Sequence, residues 1–339
     1  MADMKAWQLS KGSTSIADLH LIDLPTPEPG PGEVQVRVRA CSLNYRDQAI
    51  VTGNYFGGVL DRDLIPLSDG AGEVTAVGAG VTRFKPGDRV AGLFFQNWLS
   101  GPPNPAAGPA LGAAPANGML AETVVLPERG VTHIAQSLSF EEASTLPCAG
   151  VTAWHALVEG PRPVGPGKSV LVLGTGGVSM LALQIAKAAG ARVIVTSSSD
   201  EKLDRARALG ADATINYKDT PEWGAAAAKL AGGGVDHVVE VGGTGTINQS
   251  IAAVGFNGEV ALIGVLTRGD TQPHGLMMKG ASIRGIFVGS GAMATALNRA
   301  IDINAIKPVI GRSFPMEAAH EAYGYALSPE LFGKAVITL

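Results

Sequence analysis

A glycine-rich segment separates an apolar strand-like run, residues 170–173, from an apolar-periodic helix predicted over 180–189. The segment consists of Gly174, Thr175, Gly176, Gly177, Val178 and Ser179. Gly174 permits a tight turn, Gly176 lets the backbone approach a pyrophosphate, and the helix N-terminus offers that anion unpaired N–H groups. Ser179 stands at the third glycine position, where it predicts slightly looser packing of helix on strand. A structural turn is the alternative, but the strand-turn-helix context predicts a dinucleotide site.

The next apolar run, 192–196, ends where a dinucleotide's ribose would be recognised. An acidic residue there usually holds a free 2′-hydroxyl, yet the sequence continues with Ser197 and Ser198. Asp200 is better placed to begin the next helix. Lys202 can reach back toward a 2′-phosphate that Ser197 and Ser198 hydrogen-bond, which favours NADPH over NADH. The alternative is that these serines only cap the helix and that Lys202 is only solvated.

Two different patterns along the 339 residues predict two domains, as the length itself suggests. The first third alternates, with Val34, Val36 and Val38 on one face, which is typical of half-buried antiparallel strands. From Lys168 onward apolar runs alternate with helical segments, and this predicts an α/β fold with a doubly wound parallel sheet. The runs are 170–173, 192–196, 213–216, 237–241 and 260–265. After Gly289 we expect one helix and a last strand, 334–339, that returns to the first domain.

Composition excludes several classes of function. A net charge of −4 gives no basic footprint for nucleic acid or for a membrane surface. The two cysteines are too few for a disulfide scaffold, and no signal peptide or transmembrane segment is predicted. We therefore expect a cytoplasmic protein that acts on a small molecule.

Together with the glycine-rich turn, four further stretches resemble the medium-chain dehydrogenase/reductase superfamily, especially its zinc-free quinone oxidoreductase and zeta-crystallin-like branch. They are ACSLNYRD at 40–47, DGAGEV at 69–74, PGDRV at 86–90 and PCAGVTAW at 147–154. The resemblance implies a GroES-like catalytic domain formed by 1–126 and 289–339, a Rossmann domain at 127–288 and an active-site cleft between them. It also implies a homodimer, in which a strand at 282–288 pairs across a two-fold axis; an unpaired sheet edge is the alternative.

The resemblance also implies that no zinc is bound. Zinc-dependent relatives carry a Cys and a His-Glu pair where this sequence has Asn44 and Ser68–Asp69, so only Cys148 matches a ligand. One thiol cannot make a catalytic site that needs three protein ligands, and Cys148 is expected to pack near the cofactor. Residues 100–118, which correspond to the structural-zinc region, contain no cysteine. They form either a functional loop or a tolerated insertion.

Several site residues are carried over from the family by the same resemblance. Asn44 and Tyr55 are expected to hydrogen-bond a developing oxyanion. Tyr45 is either a proton donor or a tyrosine packed beneath the cleft. Asp47 is expected to brace the loop and contact cofactor-proximal groups, and Thr152 to face the nicotinamide.

Three later strand ends are expected to line the nicotinamide half of the cofactor site. Their glycines admit a flat ring close to the backbone, although ordinary strand-to-loop turns would look the same. The residues are Val241, Gly242, Gly264, Val265, Phe287 and Val288.

The expected reaction is hydride transfer from NADPH to an activated acceptor, either a quinone or an α,β-unsaturated carbonyl compound. Without zinc to polarise a carbonyl, the substrate must itself be electrophilic. Two alternatives stay open. One is a zinc-free alcohol dehydrogenase or carbonyl reductase, and the other is an NADPH-binding crystallin-like or sensor protein without turnover.

Overall fold

The computed structural model describes residues 3–339, which divide into two compact units. Unit 1 combines residues 3–151 with Gly289–Leu339, and unit 2 is Thr152–Val288. Among the described residues, no helix has the length and apolar character needed to cross a bilayer.

Unit 1 is built mainly from β-strands, as the alternating pattern of the first third predicts. Its strands, numbered in chain order, are β1 Asp3–Leu9, β2 Leu19–Pro25, β3 Glu33–Ser42, β4 Asp69–Val77, β5 Arg89–Gly92, β6 Thr123–Pro127, β7 Val131–His133, β14 Ile310–Pro315 and β15 Lys334–Thr338. Its helices are α1 Tyr45–Val51, α2 Phe140–Ser144, α9 Gly291–Asn304 and α10 Ala319–Ala326, with a π-helical turn at Leu146–Gly150. Short 3-10 helices cover Ile16–Asp18, Pro105–Ala107, Glu128–Gly130 and Met316–Ala318.

The main sheet of unit 1 contains strands from both of the chain segments that form this unit. Its strand order is β14-β15-β3-β4-β5-β7, with β6 also paired to β3, while β1 and β2 form a separate hairpin. Val34, Val36 and Val38 of β3 point into the core, and Arg37 between them is exposed. Because β6 and β7 pair within this sheet, residues 127–151 lie in unit 1, whereas the sequence analysis placed the boundary at 126.

Unit 2 is a doubly wound parallel sheet, which confirms the predicted fold class. Its strands are β8 Ser169–Leu173, β9 Arg192–Ser197, β10 Ala213–Asn216, β11 Val235–Glu240, β12 Val254–Leu262 and β13 Ser282–Gly285. Its helices are α4 Gly177–Ala188, α5 Asp200–Ala208, α6 Trp223–Leu230, α7 Ile247–Ala253 and α8 His274–Lys279. They are preceded by α3 Val151–Leu157, whose first residue belongs to unit 1 and whose remaining residues belong to unit 2. The strand order is β10-β9-β8-β11-β12-β13. Successive strands are added on one side of β8 up to β10 and on its other side from β11 onward, so the order of addition reverses between β8 and β11. In such sheets this reversal creates the crevice where dinucleotides bind.

Two predicted elements differ from the structure. The strand expected over 282–288 ends at Gly285, and Val288 adopts a left-handed conformation with φ +54°, which no strand residue can keep. The segment after Gly289 contains two helices and two strands instead of one of each. The extra strand β14 was missed because it pairs in parallel with β15, a contact that sequence periodicity does not show.

Candidate cofactor and catalytic sites

The glycine-rich turn of unit 2 forms an open cradle at the start of α4. Gly174 has φ +68°, and Gly176 is the N-cap residue of α4. A Cβ atom at either glycine would meet nothing within 4 Å, so no protein contact accounts for their lack of a side chain. The first helical hydrogen bond runs from Met180 N to Gly176 O, which leaves the preceding N–H groups, including those of Gly177 and Val178, for an anion. The residues fit the pyrophosphate of a dinucleotide.

Ser179, at the third glycine position, adds a hydrogen bond between α4 and β8 that the sequence analysis did not predict. The buried hydroxyl donates to the Leu173 main-chain oxygen at 2.7 Å. A glycine at this position could not make the bond. Thr175, also buried, completes the turn.

β9 ends in hydroxyl groups, and the helix after it, α5, begins with Asp200 and Glu201 before the basic residues Lys202 and Arg205. Ser197 is buried, Ser198 is half-buried, and Ser199, not Ser198, caps α5 by accepting a hydrogen bond from Lys202 N at 3.4 Å. Burial lowers the pKa of Lys202, and the nearby Arg205 lowers it further. The sequence analysis missed Arg205, although it follows Lys202 by one helical turn.

The first carboxylate after β9 in the sequence, that of Asp200, is engaged by a neighbouring strand. Asp200 accepts a hydrogen bond from Nδ2 of Asn216 in the neighbouring strand β10 at 2.9 Å. Asp200 therefore ties α5 to β10, in agreement with its expected place at the start of the helix.

A fully buried glutamate organises the loop after β11. Oε1 of Glu240 accepts hydrogen bonds from Gly242 N at 2.7 Å, Gly243 N at 3.0 Å and Thr246 Oγ1 at 2.6 Å. Its Oε2 accepts a short hydrogen bond from Ser250. The sequence analysis missed Glu240, because a charged residue at the end of an apolar strand gives no sign of its internal partners.

The glycines at the ends of β11 and β12 are required by the protein's own packing. A Cβ at Gly264 would lie 2.0 Å from the Val241 carbonyl oxygen, and one at Gly242 would lie 2.3 Å from Thr246 Oγ1. Packing therefore requires glycine at both positions, and their place beside the nicotinamide stays a prediction. Val241 is half-buried and Val265 is two-thirds exposed.

The end of unit 2 is held by a histidine. Val288 keeps its left-handed conformation while its carbonyl oxygen accepts a hydrogen bond from Nδ1 of His155 at 2.7 Å. Burial lowers the pKa of His155. Phe287 is half exposed, and Thr152 is buried in α3.

In unit 1 two of the predicted catalytic residues, Asn44 and Tyr45, lie at the start of α1, and the third, Tyr55, follows the end of that helix. The main-chain N–H of Asn44 donates to Oδ2 of Asp47 at 2.7 Å, and Oδ1 of Asp47 accepts from Nη1 of Arg46 at 3.4 Å. Burial raises the pKa of Asp47 to about 6, although Arg46 opposes that shift. Asp47 thus ties together the residues that begin the helix. Tyr45 is half exposed, so it is not a packed core tyrosine.

Arg46 is a buried arginine that the sequence analysis missed. Its Nε donates to the hydroxyl of Tyr55 at 3.4 Å, and its guanidinium lies over the Tyr55 ring at 5.0 Å. Its Nη1 donates to the Leu111 main-chain oxygen at 2.9 Å, which fastens the 100–118 loop, while its buried Nη2 has no partner. Arg46 therefore joins Tyr55, Asp47 and the loop in one network.

Lys334, at the start of β15, is a second buried cation beside this network. Its Nζ donates to Oδ1 of Asn44 at 2.5 Å and to the Leu43 main-chain oxygen, and it lies 3.9 Å from Oδ2 of Asp69. Ser68 donates to the other oxygen of Asp69 at 2.8 Å. The sequence analysis missed Lys334 as well; the only signal was a lysine at the head of the predicted last strand, 334–339.

These side chains do not fit a catalytic zinc ion. Among residues 3–339, no three or more His, Cys, Asp or Glu side chains are grouped so that they could hold a metal. Cys148 is half-buried, its main-chain N–H donates to Asp69 at 3.3 Å, and burial raises the pKa of its thiol. The ammonium group of Lys334 lies 3.9 Å from Asp69, whereas a zinc site would need neutral or anionic ligands there.

Known proteins match the chain nearly end to end. The family model described as "Alcohol dehydrogenase GroES-like domain" matches residues 30–136, and "Zinc-binding dehydrogenase" matches 177–302. A zinc-type alcohol dehydrogenase-like protein of Schizosaccharomyces pombe is 45% identical over 89% of both chains. The quinone oxidoreductase of Homo sapiens is 28% identical over 84% of this chain and 82% of its own.

A solved structure extends the similarity to three dimensions. The crystal structure of a putative alcohol dehydrogenase from Sinorhizobium meliloti 1021 is 41% identical and has a TM-score of 0.91 over 100% of both chains. Some relatives have zinc in their names, as the Schizosaccharomyces pombe protein does, and the word is a statement about those proteins and not about this chain. Sequence, fold and relatives agree that this chain belongs to the medium-chain dehydrogenase/reductase superfamily and is an oxidoreductase of that NAD(P)-binding family.

Proposed function

We propose that the protein is a zinc-independent, NADPH-preferring reductase of quinones or α,β-unsaturated carbonyl compounds. One observation carries the proposal. Where zinc-dependent relatives have metal ligands, Asn44 presents a buried Nδ2 donor without a partner, and Lys334 occupies the amide oxygen. This arrangement offers hydrogen bonds to a substrate oxygen in place of a Lewis acid.

The difference in strength between these two devices sets the substrate class. A zinc ion stabilises the charge on a carbonyl oxygen by several kcal/mol, whereas a single positioned hydrogen-bond donor contributes roughly 2.7 to 4 kcal/mol. A substrate that already accepts hydride readily at a conjugated carbon or quinone ring needs less polarisation. Unactivated alcohols and simple ketones are therefore poorer substrates.

In this proposal the side chains of unit 1 act on the substrate oxygen. Bound NADPH supplies the hydride. Asn44 Nδ2 donates a hydrogen bond to the oxygen as negative charge develops, and the hydroxyl of Tyr55 supplies a second donor. Arg46 holds Tyr55 by its hydrogen bond and by its stacking on the ring. The proton that completes the reduction comes from Tyr55 or from water.

The preference for NADPH rests on the end of β9. Ser197 and Ser198 provide hydroxyl groups, and Lys202 and, one turn further along α5, Arg205 provide positive charge. Asp200, the first carboxylate after β9, is bonded to Asn216 rather than left to hold a ribose 2′-hydroxyl. This combination suits a 2′-phosphate.

A second candidate is a zinc-free alcohol dehydrogenase or carbonyl reductase. It is favoured by the names of the 45% and 41% identical relatives, both of which refer to alcohol dehydrogenase. The donor arrangement of Asn44 serves a ketone oxygen as well, but with the weaker polarisation described above.

One set of assays separates these functions. Purified protein in the presence of a metal chelator is supplied with NADPH or NADH and with quinones, enones, ketones and aldehydes. We expect chelator-resistant reduction of enones or quinones with NADPH preferred. Faster turnover of simple ketones would favour the second candidate. Loss of activity in chelator, or tight NADPH binding without turnover of any acceptor, would refute the proposal.

We also propose a homodimer formed through the outer edge of β13. This strand is the last in the sheet of unit 2, and α8, just before it, exposes Met277 and Met278. Light scattering on the purified protein tests the proposal, and a monomer at micromolar concentration would contradict it.

A further inference from the structure

Lys334 settles which atom of Asn44 is the oxygen. An ammonium group has three donors and no acceptor, so its 2.5 Å partner on Asn44 must be the carbonyl oxygen Oδ1. The amide nitrogen Nδ2 then points the other way. Asparagine amides are otherwise free to take either orientation, because the two ends have almost the same shape.

The amide nitrogen that results is buried and has no partner. Burying a donor without an acceptor destabilises a fold, and proteins retain such groups where a ligand or a mechanism uses them. Because Lys334 blocks the opposite orientation, the amide cannot relieve this cost by flipping. A donor held in advance needs no reorganisation when charge develops on a substrate oxygen.

Lys334 itself is held from several sides. Only 4% of its surface is exposed, and its ammonium contacts the Leu43 oxygen and Asn44 and lies 3.9 Å from the Asp69 carboxylate. Asp69 is anchored in turn by Ser68 at 2.8 Å and by Ser42 at 3.4 Å. Residues on and beside the neighbouring strands β3 and β4 therefore hold the Lys334 ammonium group, which in turn holds the Asn44 amide.

We propose that Lys334 is a positioning residue that locks the Asn44 amide with Nδ2 as the free donor to the substrate oxygen. This inference rests on the proposed function of Asn44 and names the residue that makes it possible. Lys334 touches no substrate in this role; it acts only through Asn44.

A matched pair of variants separates positioning from charge. Lys334→Met and Lys334→Gln both remove the positive charge beside Asp69, but only glutamine keeps an N–H donor for the Asn44 oxygen. We expect kcat/KM for the acceptor to fall about 100-fold in Asn44→Ala and about 10-fold in Lys334→Met, and to recover in part in Lys334→Gln. The Kd for NADPH should stay within about twofold throughout, because binding of the dinucleotide does not use this donor.

The double variant Asn44→Ala/Lys334→Met tests whether Lys334 acts through Asn44. If it does, losing Lys334 has no further effect on kcat/KM once the Asn44 amide is gone. An equal loss in Lys334→Met and Lys334→Gln, or a full 10-fold loss in the double variant, would overturn the proposal and leave Lys334 a structural residue.

A measurement without turnover keeps the proposal separate from the reaction. In protein labelled with ¹⁵N-asparagine, the side-chain amide signal of Asn44 is identified by its absence in Asn44→Ala. We expect it to be sharp in the wild type and in Lys334→Gln, and shifted or broadened in Lys334→Met as the amide samples both orientations. An unchanged signal in Lys334→Met refutes the positioning role. If the signal changes in Lys334→Met as expected but the wild type reduces no acceptor, the proposed function is refuted and the positioning role of Lys334 is not.

Discussion

The buried carboxyl group of Asp47 is expected to make folding depend on pH with a defined sign. Burial raises its pKa to about 6, whereas an aspartate in an unfolded chain has a pKa of about 3.9. Between about pH 4 and pH 6, the unfolded state has lost a proton that the folded state still binds. The free energy of unfolding therefore falls as the pH rises through this window and becomes independent of Asp47 above it.

The size of the effect follows from the two pKa values. A difference of about 2 units corresponds to about 3 kcal/mol, which is a large part of the stability of an ordinary domain. Asp47→Asn removes the ionisable group and keeps an oxygen for the Asn44 N–H. The variant should therefore gain up to about 3 kcal/mol relative to wild type between pH 4 and pH 7, on top of a constant cost for the contact with Arg46.

Urea unfolding at a series of pH values measures this gain. Trp7 and Trp98 lie in unit 1, so replacing the unit 2 residues Trp154 and Trp223 by Phe in both proteins makes fluorescence report on unit 1. Such separation matters because a protein of two units need not unfold in one step.

Asp61→Asn, at an exposed position in the same unit, is the control for losing one negative charge. A difference between Asp47→Asn and wild type that stays constant from pH 4 to pH 7 would refute the assigned pKa. A difference that moves the opposite way would mean that Arg46 outweighs burial.

Four other substitutions test the remaining site residues. Lys202→Ala should weaken NADPH binding about tenfold and leave NADH binding nearly unchanged, as measured by fluorescence titration. Glu240→Gln replaces an acceptor by an amide that cannot satisfy all four donors, so unit 2 should lose roughly 1 to 3 kcal/mol and NADPH binding should weaken; calorimetry measures both. Tyr55→Phe should lower kcat about tenfold or more without changing the Kd for NADPH, and an unchanged rate would exclude Tyr55 from the mechanism. Ser179→Ala should cost about 1 kcal/mol in unfolding free energy, and equal stability would show that its bond to Leu173 contributes nothing.

Features that depend on neighbouring residues could be predicted from the sequence. The Gly174 turn, its helix and the parallel sheet follow from local spacing and apolar periodicity. Glycines were harder to interpret, because the sequence does not distinguish a glycine that leaves open space from one that packing requires. Gly176 faces open space, whereas Gly264 packs against Val241. The hydrogen bond of Ser179 was not predicted because its acceptor, the Leu173 main-chain oxygen, comes within reach only in the folded turn.

Features that depend on distant residues could not be predicted. Lys334 and Asn44 are 290 residues apart, and nothing in either neighbourhood indicates their contact. Arg46 lies inside the recognised motif, yet its partners Tyr55 and Leu111 come from two different loops. Neither buried cation could be predicted, because the partners that hold each one are brought together only by the fold.

The pairing of β15 with β3 has a consequence for the order in which the protein matures. A ribosome adds roughly 5 to 20 residues per second, so Lys334 is made roughly 15 to 60 s after Asn44, from which it is separated by 290 residues. Unit 2, which is contiguous, can fold within that interval, while unit 1 waits for β15, which joins β3 to β14 in its main sheet. A nascent chain can therefore bind a dinucleotide before Lys334 locks the Asn44 amide. A chain released before β15 is made would bind the dinucleotide but would lack the positioned Asn44 Nδ2 donor.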